Sequence, residues 1–190
     1  TLKAPKFGSR WAPSKTFLRK LKEGGPGSVL ERLVEMATAK QDQALSQQDG
    51  KKKVRVNVAK LSDARLAGSG QSMRCFLIVT EGDSALALAL AGKSASPDPT
   101  VIGAMPLRGK LLNVRAQSRK MLLANKEIQD LVKALGLQYG KEYRTEEDFR
   151  SLRYGGGVLL MADQDFDGFH IGGLILNLFE HLWPSLMQRP

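Results

Sequence analysis

Asp163, Asp165 and Asp167 stand at alternate positions in Asp-Gln-Asp-Phe-Asp-Gly, directly behind an apolar run over residues 158–162. Carboxylates crowded in this way repel one another, so a site that keeps them ionised ordinarily holds a divalent cation. Oxygen donors with no Cys or His cluster beside them point to Mg²⁺, with Mn²⁺ as a substitute. Glu81 closes a second apolar run, residues 75–80, and supplies a fourth carboxylate if the two runs are neighbouring strands. Four acids could hold two ions, and two ions can stabilise both the attacking and the leaving oxygen of a phosphoryl transfer. Asp-x-Asp-x-Asp-Gly also opens a calcium EF-hand loop, but the twelfth position, which must be a bidentate Glu, is Leu174 here, and an EF-hand is entered from a helix rather than a strand. The plainer alternative is that these aspartates only form a turn and cap the next helix.

A second constellation is Pro106-Leu107-Arg108-Gly109-Lys110. A glycine between two cations lets the backbone approach a phosphate while Arg108 and Lys110 supply charge, although an exposed polar loop reads the same way. His170 follows the acidic cluster and could contact a phosphate or a carboxylate; a capping or surface role is the alternative. Cys75 lies inside an apolar run and reads as a core residue. No Gly-x-x-x-x-Gly-Lys-Ser/Thr phosphate loop is present, and none of Tyr139, Tyr143 and Tyr154 sits in a motif that marks a nucleophile.

The elements that must position these groups follow from periodicity. Residues 1–27, rich in Gly, Pro, Ser and Lys, read as loop with a short helix near 15–21. Ser28-Val29-Leu30-Glu31 has capping-box form, and Leu30, Leu33, Val34 and Ala37 repeat at helical spacing until Asp49-Gly50. Val54, Val56 and Val58 alternate with polar residues, as in an edge strand or an extended linker, and Gly68-Ser69-Gly70 reads as the break before the main domain. Beyond it, strands over 75–80, 101–105 and 158–162 alternate with helices over about 84–92, 118–135, 145–152 and a final one that follows Gly168 and runs to about 183–184. The first and third strands are apolar enough for burial on both faces. This alternation predicts a parallel α/β sheet, and in such sheets ligand sites lie beyond the carboxyl ends of the strands, where both acidic motifs fall.

Composition narrows the partners. The chain has 190 residues, 29 Lys+Arg against 19 Asp+Glu, a formal charge of +10 and 42% hydrophobic residues, which suits a globular protein and excludes an extended disordered tail. No apolar run approaches the ~20 residues of a membrane span. One cysteine excludes an internal disulfide and a Cys-based zinc site. The sequence opens on Thr1 with no secretory signal to read, so the chain is expected to be part of a longer polypeptide. Residues 1–60 hold 14 basic and 5 acidic residues, whereas 61–190 hold 15 and 14. Within the latter, residues 93–126 are cationic and 127–180 anionic. Such a balance favours a polyanionic partner, or else a basic surface that serves solubility.

Glu81-Gly82-Asp83-Ser84-Ala85, the segment from Pro106 through Lys110 to Asn113-Val114, and Asp163-x-Asp165-x-Asp167-Gly168-x-His170-Ile171, in this order, resemble the Toprim domain of type IIA DNA topoisomerases. Arg108, Gln164, Gly136-Leu137-Gln138-Tyr139, Leu152-Arg153-Tyr154-Gly155 and Trp183-Pro184-Ser185-Leu186 resemble the eukaryotic-type enzyme rather than the bacterial gyrase subunit. The resemblance extends from about Lys60 to Leu186. Residues 1–59 resemble the end of the preceding transducer region and its linker, which divides the chain into 1–59 and a Toprim domain over 60–190.

This resemblance implies a Rossmann-like parallel sheet flanked by helices, with a mainly helical N-terminal extension. It implies that Glu81, Asp163 and Asp165 bind Mg²⁺, for which Mn²⁺ or Ca²⁺ can substitute in binding, and that Asp167 supports them as a catalytic group. Gly82, Asp83, Arg108, Gly109, Lys110, Asn113 and His170 would border double-stranded DNA and the site of topoisomerase poisons. The implied reaction is cleavage and religation of DNA by transesterification to a tyrosine in a winged-helix domain of the other subunit of a homodimer. That domain and the upstream domain that uses ATP lie outside this chain, which alone would be inactive in strand passage. A nuclear location is the family default, with an organellar or viral one as the alternative. The chain departs from the family pattern at Phe169 and Gly172, where a serine and a lysine are usual, and at Pro97 and Pro99 in the segment 93–100. Two other readings of the same residues are a Toprim nuclease or primase-like module and a non-catalytic DNA-binding module.

Overall fold

The computed structural model describes residues 13–22, 28–47, 49–50, 54–109 and 111–188. The chain divides into two compact units, Thr1–Asp42 and Gln43–Pro190. In the first, α1 (Lys15–Lys22) begins at Ser14, whose hydroxyl accepts the Phe17 N–H at 3.1 Å. α2 (Val29–Ser46) starts as its sequence predicts, the Ser28 Oγ accepting the Glu31 N–H at 3.1 Å, and runs across the division between the units. Its apolar stripe of Leu30, Leu33 and Val34 is exposed.

The second unit is built on a parallel sheet of three strands, β1 (Phe76–Glu81), β2 (Ile102–Leu107) and β3 (Gly157–Met161), in the order β2-β1-β3. The helix that joins β1 to β2 packs back on both strands, as a parallel crossover requires. β1 is central, and its Leu77 and Val79 are fully buried. β3 forms an edge: Leu159 and Leu160 are exposed, which corrects the expectation of a strand buried on both faces. As neighbours on a strand, Leu159 and Leu160 point to opposite faces, so this edge is partly open on each, a difference that composition cannot show.

The free edge of β2 is covered by the incoming chain. Val54 lies in a bend and residues 55–58 form no regular element, so the Val54–Val56–Val58 alternation is not a strand. Ser62 then bridges antiparallel to Ala104, with both N–H···O bonds made, at 2.8 and 2.9 Å. Val58, Ala64 and Ala67 join the main core, so Gly68-Ser69-Gly70 is a turn inside the domain rather than the break before it. The Gly68 N–H is bound to the Arg153 carbonyl at 3.1 Å. Arg153 itself is fully buried, donates to the Ala134 carbonyl at 2.6 Å and pairs with Asp63, whose other oxygen accepts the Tyr154 hydroxyl. Lys93 donates to the Asp63 carbonyl at 3.0 Å. Buried charge is tolerable only when paired in this manner.

α3 (Gly82–Ala95) follows β1, and α6 (Glu146–Arg150) is closed by a capping box between Thr145 and Asp148. The single helix expected over 118–135 is two, α4 (Arg119–Ala124) and α5 (Lys126–Leu135). Asn125 interrupts it: the side chain accepts the Ile128 N–H at 3.0 Å and so starts a new helix, the competing preference of asparagine for a cap. α7 (Phe166–Leu182) buries Ile171, Leu174, Ile175 and Leu178 against the core. No helix among the described residues is long and apolar enough to cross a membrane.

Candidate functional site

The carboxyl ends of the three strands form one border. The register pairs Glu81 with Leu107 and Thr80 with Met161, so the chain leaving β3 passes beside the end of β1. The condition set by the sequence, that the two acidic motifs lie on neighbouring strands, is met. Glu81 Oε2 accepts the backbone N–H of Asp163 at 3.4 Å. Glu81 precedes α3 without capping it, which leaves its carboxylate turned to the acidic loop. Gly82 has a φ of 76°, a left-handed conformation that side chains resist, so the chain can turn sharply from strand to helix there.

Asp163, Asp165 and Asp167 are all exposed. Asp165 caps α7, its Oδ1 accepting the Gly168 N–H at 2.8 Å, and Asp167 lies in the first turn of that helix, where the dipole favours negative charge. Gly168 is fixed by proximity: a Cβ there would lie 2.0 Å from the Asp163 carbonyl oxygen. Among the described residues no three His, Cys, Asp or Glu side chains come together closely enough to hold a metal ion. The structure thus brings Glu81 to Asp163 and commits Asp165 to the helix cap. The donor chemistry of this border, all-oxygen and exposed, suits a hard divalent cation.

On the other side of β1, β2 leads into Arg108 and Gly109, both exposed, and Gly109 has a φ of 81°. Lys110 lies outside the described residues. The Arg108 N–H donates to Glu127 Oε2 at 2.8 Å, anchoring the turn to the first turn of α5. Burial pushes the Glu127 carboxyl above its usual range, against the opposing effects of that hydrogen bond and of the Arg108 charge. Asn113 accepts the Arg115 N–H at 3.3 Å and the Asn177 side-chain N–H at 2.9 Å, tying this loop to α7. His170 is exposed on α7 between Phe169 and the buried Ile171. Asp83, exposed in the first turn of α3, is ion-paired with Lys60 from the covering segment.

Sequence reasoning missed Lys60 and Glu127. Lys60 lies 23 residues from its partner in a stretch without motif, and nothing local announces it. Glu127 carried a usable signal, because Asn125-Lys126-Glu127-Ile128 is a helix start that would have placed a carboxylate at a helix N-terminus.

A parallel sheet with acids converging on one side of its central strand end and a cationic turn on the other defines an α/β domain whose ligand site occupies the strand carboxyl ends. The chain is 47% identical to DNA topoisomerase 2 of Arabidopsis thaliana over 190 residues, all of this chain and 12% of the relative. It is 43% identical to DNA topoisomerase 2 of Saccharomyces cerevisiae over 189 residues, 99% of this chain and 13% of the relative. Among solved structures, the DNA-binding, cleavage and re-ligation domain of Plasmodium falciparum topoisomerase II superposes with a TM-score of 0.67 at 44% identity, covering 72% of this chain and 18% of that one. No protein-family model matches the chain. Along its whole length the chain is thus similar to eukaryotic DNA topoisomerase 2, and it spans about an eighth of the length of these relatives.

Proposed function

We propose that this chain is the Toprim portion of an ATP-dependent type II DNA topoisomerase, supplying the metal-binding half of a site that cleaves and religates double-stranded DNA. The observation that carries this reading is the approach of Glu81 to Asp163 at adjacent strand ends, with the Arg108–Gly109 turn on the other flank of β1. Glu81, Asp163 and Asp165 would hold Mg²⁺, with Asp165 exchanging its helix cap for the ion and Asp167 adding negative potential. When bound, Mg²⁺ supplies charge stabilisation at the reacting phosphodiester. Arg108 and Lys110 neutralise DNA phosphates, and Gly82 and Gly109 let the backbone come close to them. Asn113 and His170 border the same groove, which is also where poisons of the family would lodge. The attacking tyrosine, the ATP site and the contacts of the homodimer belong to other parts of the protein, and the nucleus is its place of action.

The test is alanine at Asp163 or Asp165 in the full-length protein, with Mg²⁺-dependent DNA cleavage measured as nicked and linear product. Loss of cleavage is expected. Cleavage equal to the unaltered protein would overturn the reading.

A further inference from the structure

Lys60 is the one non-glycine residue with a left-handed backbone among the described residues, at a φ of 58°. A lysine in that conformation carries a steric cost that persists only where its surroundings impose it. They do so here from both sides. The Leu61 N–H closes a turn on the Val58 carbonyl at 3.3 Å, and Ser62 is locked to Ala104 of β2 by two hydrogen bonds. The result aims the Lys60 ammonium across the end of the sheet to the Asp83 carboxylate. Both partners are substantially exposed, 43% and 66%, and an exposed ion pair returns less stability than such a backbone costs. Stability therefore does not account for the arrangement, and its position does. Asp83 is two residues beyond Glu81, at a border that must accept a polyanion. A bare carboxylate there would repel phosphate and compete for any cation meant for Glu81 and Asp163.

We infer that Lys60 is a positioning residue of this site, holding Asp83 neutralised and turned aside so that a DNA phosphate can approach Glu81 and Asp163. The inference rests on reading the site as a DNA-cleavage site. It makes the covering segment, which enters from the N-terminal side, part of the site's electrostatics rather than only a lid on the edge of β2.

The experiment is a double-mutant cycle in the full-length protein, read by the affinity for a fluorescent nicked DNA duplex at low salt. Lys60→Ala is expected to weaken binding about fivefold, on the scale of one exposed charge contact. Lys60→Arg should bind as the unaltered protein does. Lys60→Ala combined with Asp83→Asn should bind within about twofold of Asp83→Asn alone, because the charge that Lys60 offsets is gone. A Lys60→Ala variant that binds normally would overturn the inference, and so would a double variant as weak as Lys60→Ala. If the alanine variant fails to fold, Lys60→Gly, which suits the left-handed backbone, takes its place in the cycle. Cleavage by the unaltered protein and its loss in Asp163→Ala are scored in parallel. Failure of those controls overturns the proposed function, whereas failure of the cycle alone overturns the role of Lys60.

Discussion

Replacing Gly168 by alanine asks whether the acidic loop is held by a close backbone approach. A Cβ on Gly168 would lie 2.0 Å from the Asp163 carbonyl oxygen and 3.0 Å from its carbonyl carbon. Both are backbone atoms, so no side-chain rotation relieves the overlap. Real Cβ contacts essentially never fall below 3.0 Å, and the loop or the start of α7 must retreat by about 1 Å. Overpacking of this kind costs about 1–3 kcal/mol. The retreat also disturbs the 2.8 Å bond from the Gly168 N–H to Asp165, a helix cap worth about 1 kcal/mol. A combined loss of about 2–4 kcal/mol lowers the melting temperature of a domain of this size by roughly 5–12 °C. Gly173→Ala on the same helix is the control, since its Cβ would meet nothing within 4 Å. Scanning calorimetry of both variants, following the transition of this domain, decides the matter. A Gly168→Ala protein that melts within about 1 °C of the Gly173→Ala protein would refute the close-approach argument.

Asp63→Ala should destabilise the domain by about 3 kcal/mol, because it leaves a fully buried Arg153 without its carboxylate and Tyr154 without its acceptor. Urea denaturation measures this, and a loss below about 1 kcal/mol would show that the pair is dispensable. Tyr139→Phe should be neutral or stabilising by up to about 1 kcal/mol near pH 7, since the buried Tyr139 hydroxyl has no hydrogen-bond partner and stacks with Trp183 through its ring alone. Burial, then the nearby Asp49 charge, pushes the Tyr139 hydroxyl up to about 12, so its folded pKa exceeds its unfolded one. The stability it contributes is complete below about pH 10 and lost as pH rises toward 12. The phenylalanine variant should therefore lose less stability than the unaltered protein between those pH values, and parallel denaturation curves would contradict this.

Most of the sheet was legible because each strand is a short apolar run followed by a polar turn, and the period changes to helical directly afterwards. Boundaries moved by one or two residues, as at β1, where Cys75 precedes the strand and Glu81 ends it. What was not legible depends on tertiary contacts. The stretch over Leu159 and Leu160 is as apolar as β1, yet one is an edge and the other central, since strand order is not encoded in hydrophobicity. Helix 118–135 kept its apolar spacing through Asn125, and only the cap formed by that side chain shows where it breaks. The Val54–Val58 alternation has the period of a strand, but among the described residues the only pairing near it is the Ser62 bridge.

The site divides along the same line. Motif spacing placed the acids and the cationic turn at strand ends, and parallel topology then had to bring those ends to one border. Of the partners that hold them in place, Glu127 was announced by the helix start at Asn125, whereas Lys60 comes from a segment with no motif, since one charged side chain in a loop carries no address. The departures at positions 169 and 172 can be weighed on the same physical terms. Phe169 is 71% exposed and faces away from the core, so its aromatic ring changes the surface beside His170 without changing the path of α7. A Cβ at Gly172 would stand 3.2 Å from the Leu160 Cδ2, the movable end of a side chain on an exposed edge strand. The backbone at both positions therefore has room for the serine and lysine that the resemblance leads one to expect, so Phe169 and Gly172 alter the surface beside the acidic loop rather than the architecture. Under the proposed function, the described cation on the opposite flank of β1 is Arg108, which makes the pairing of Lys60 with Asp83 matter more to the charge of this border.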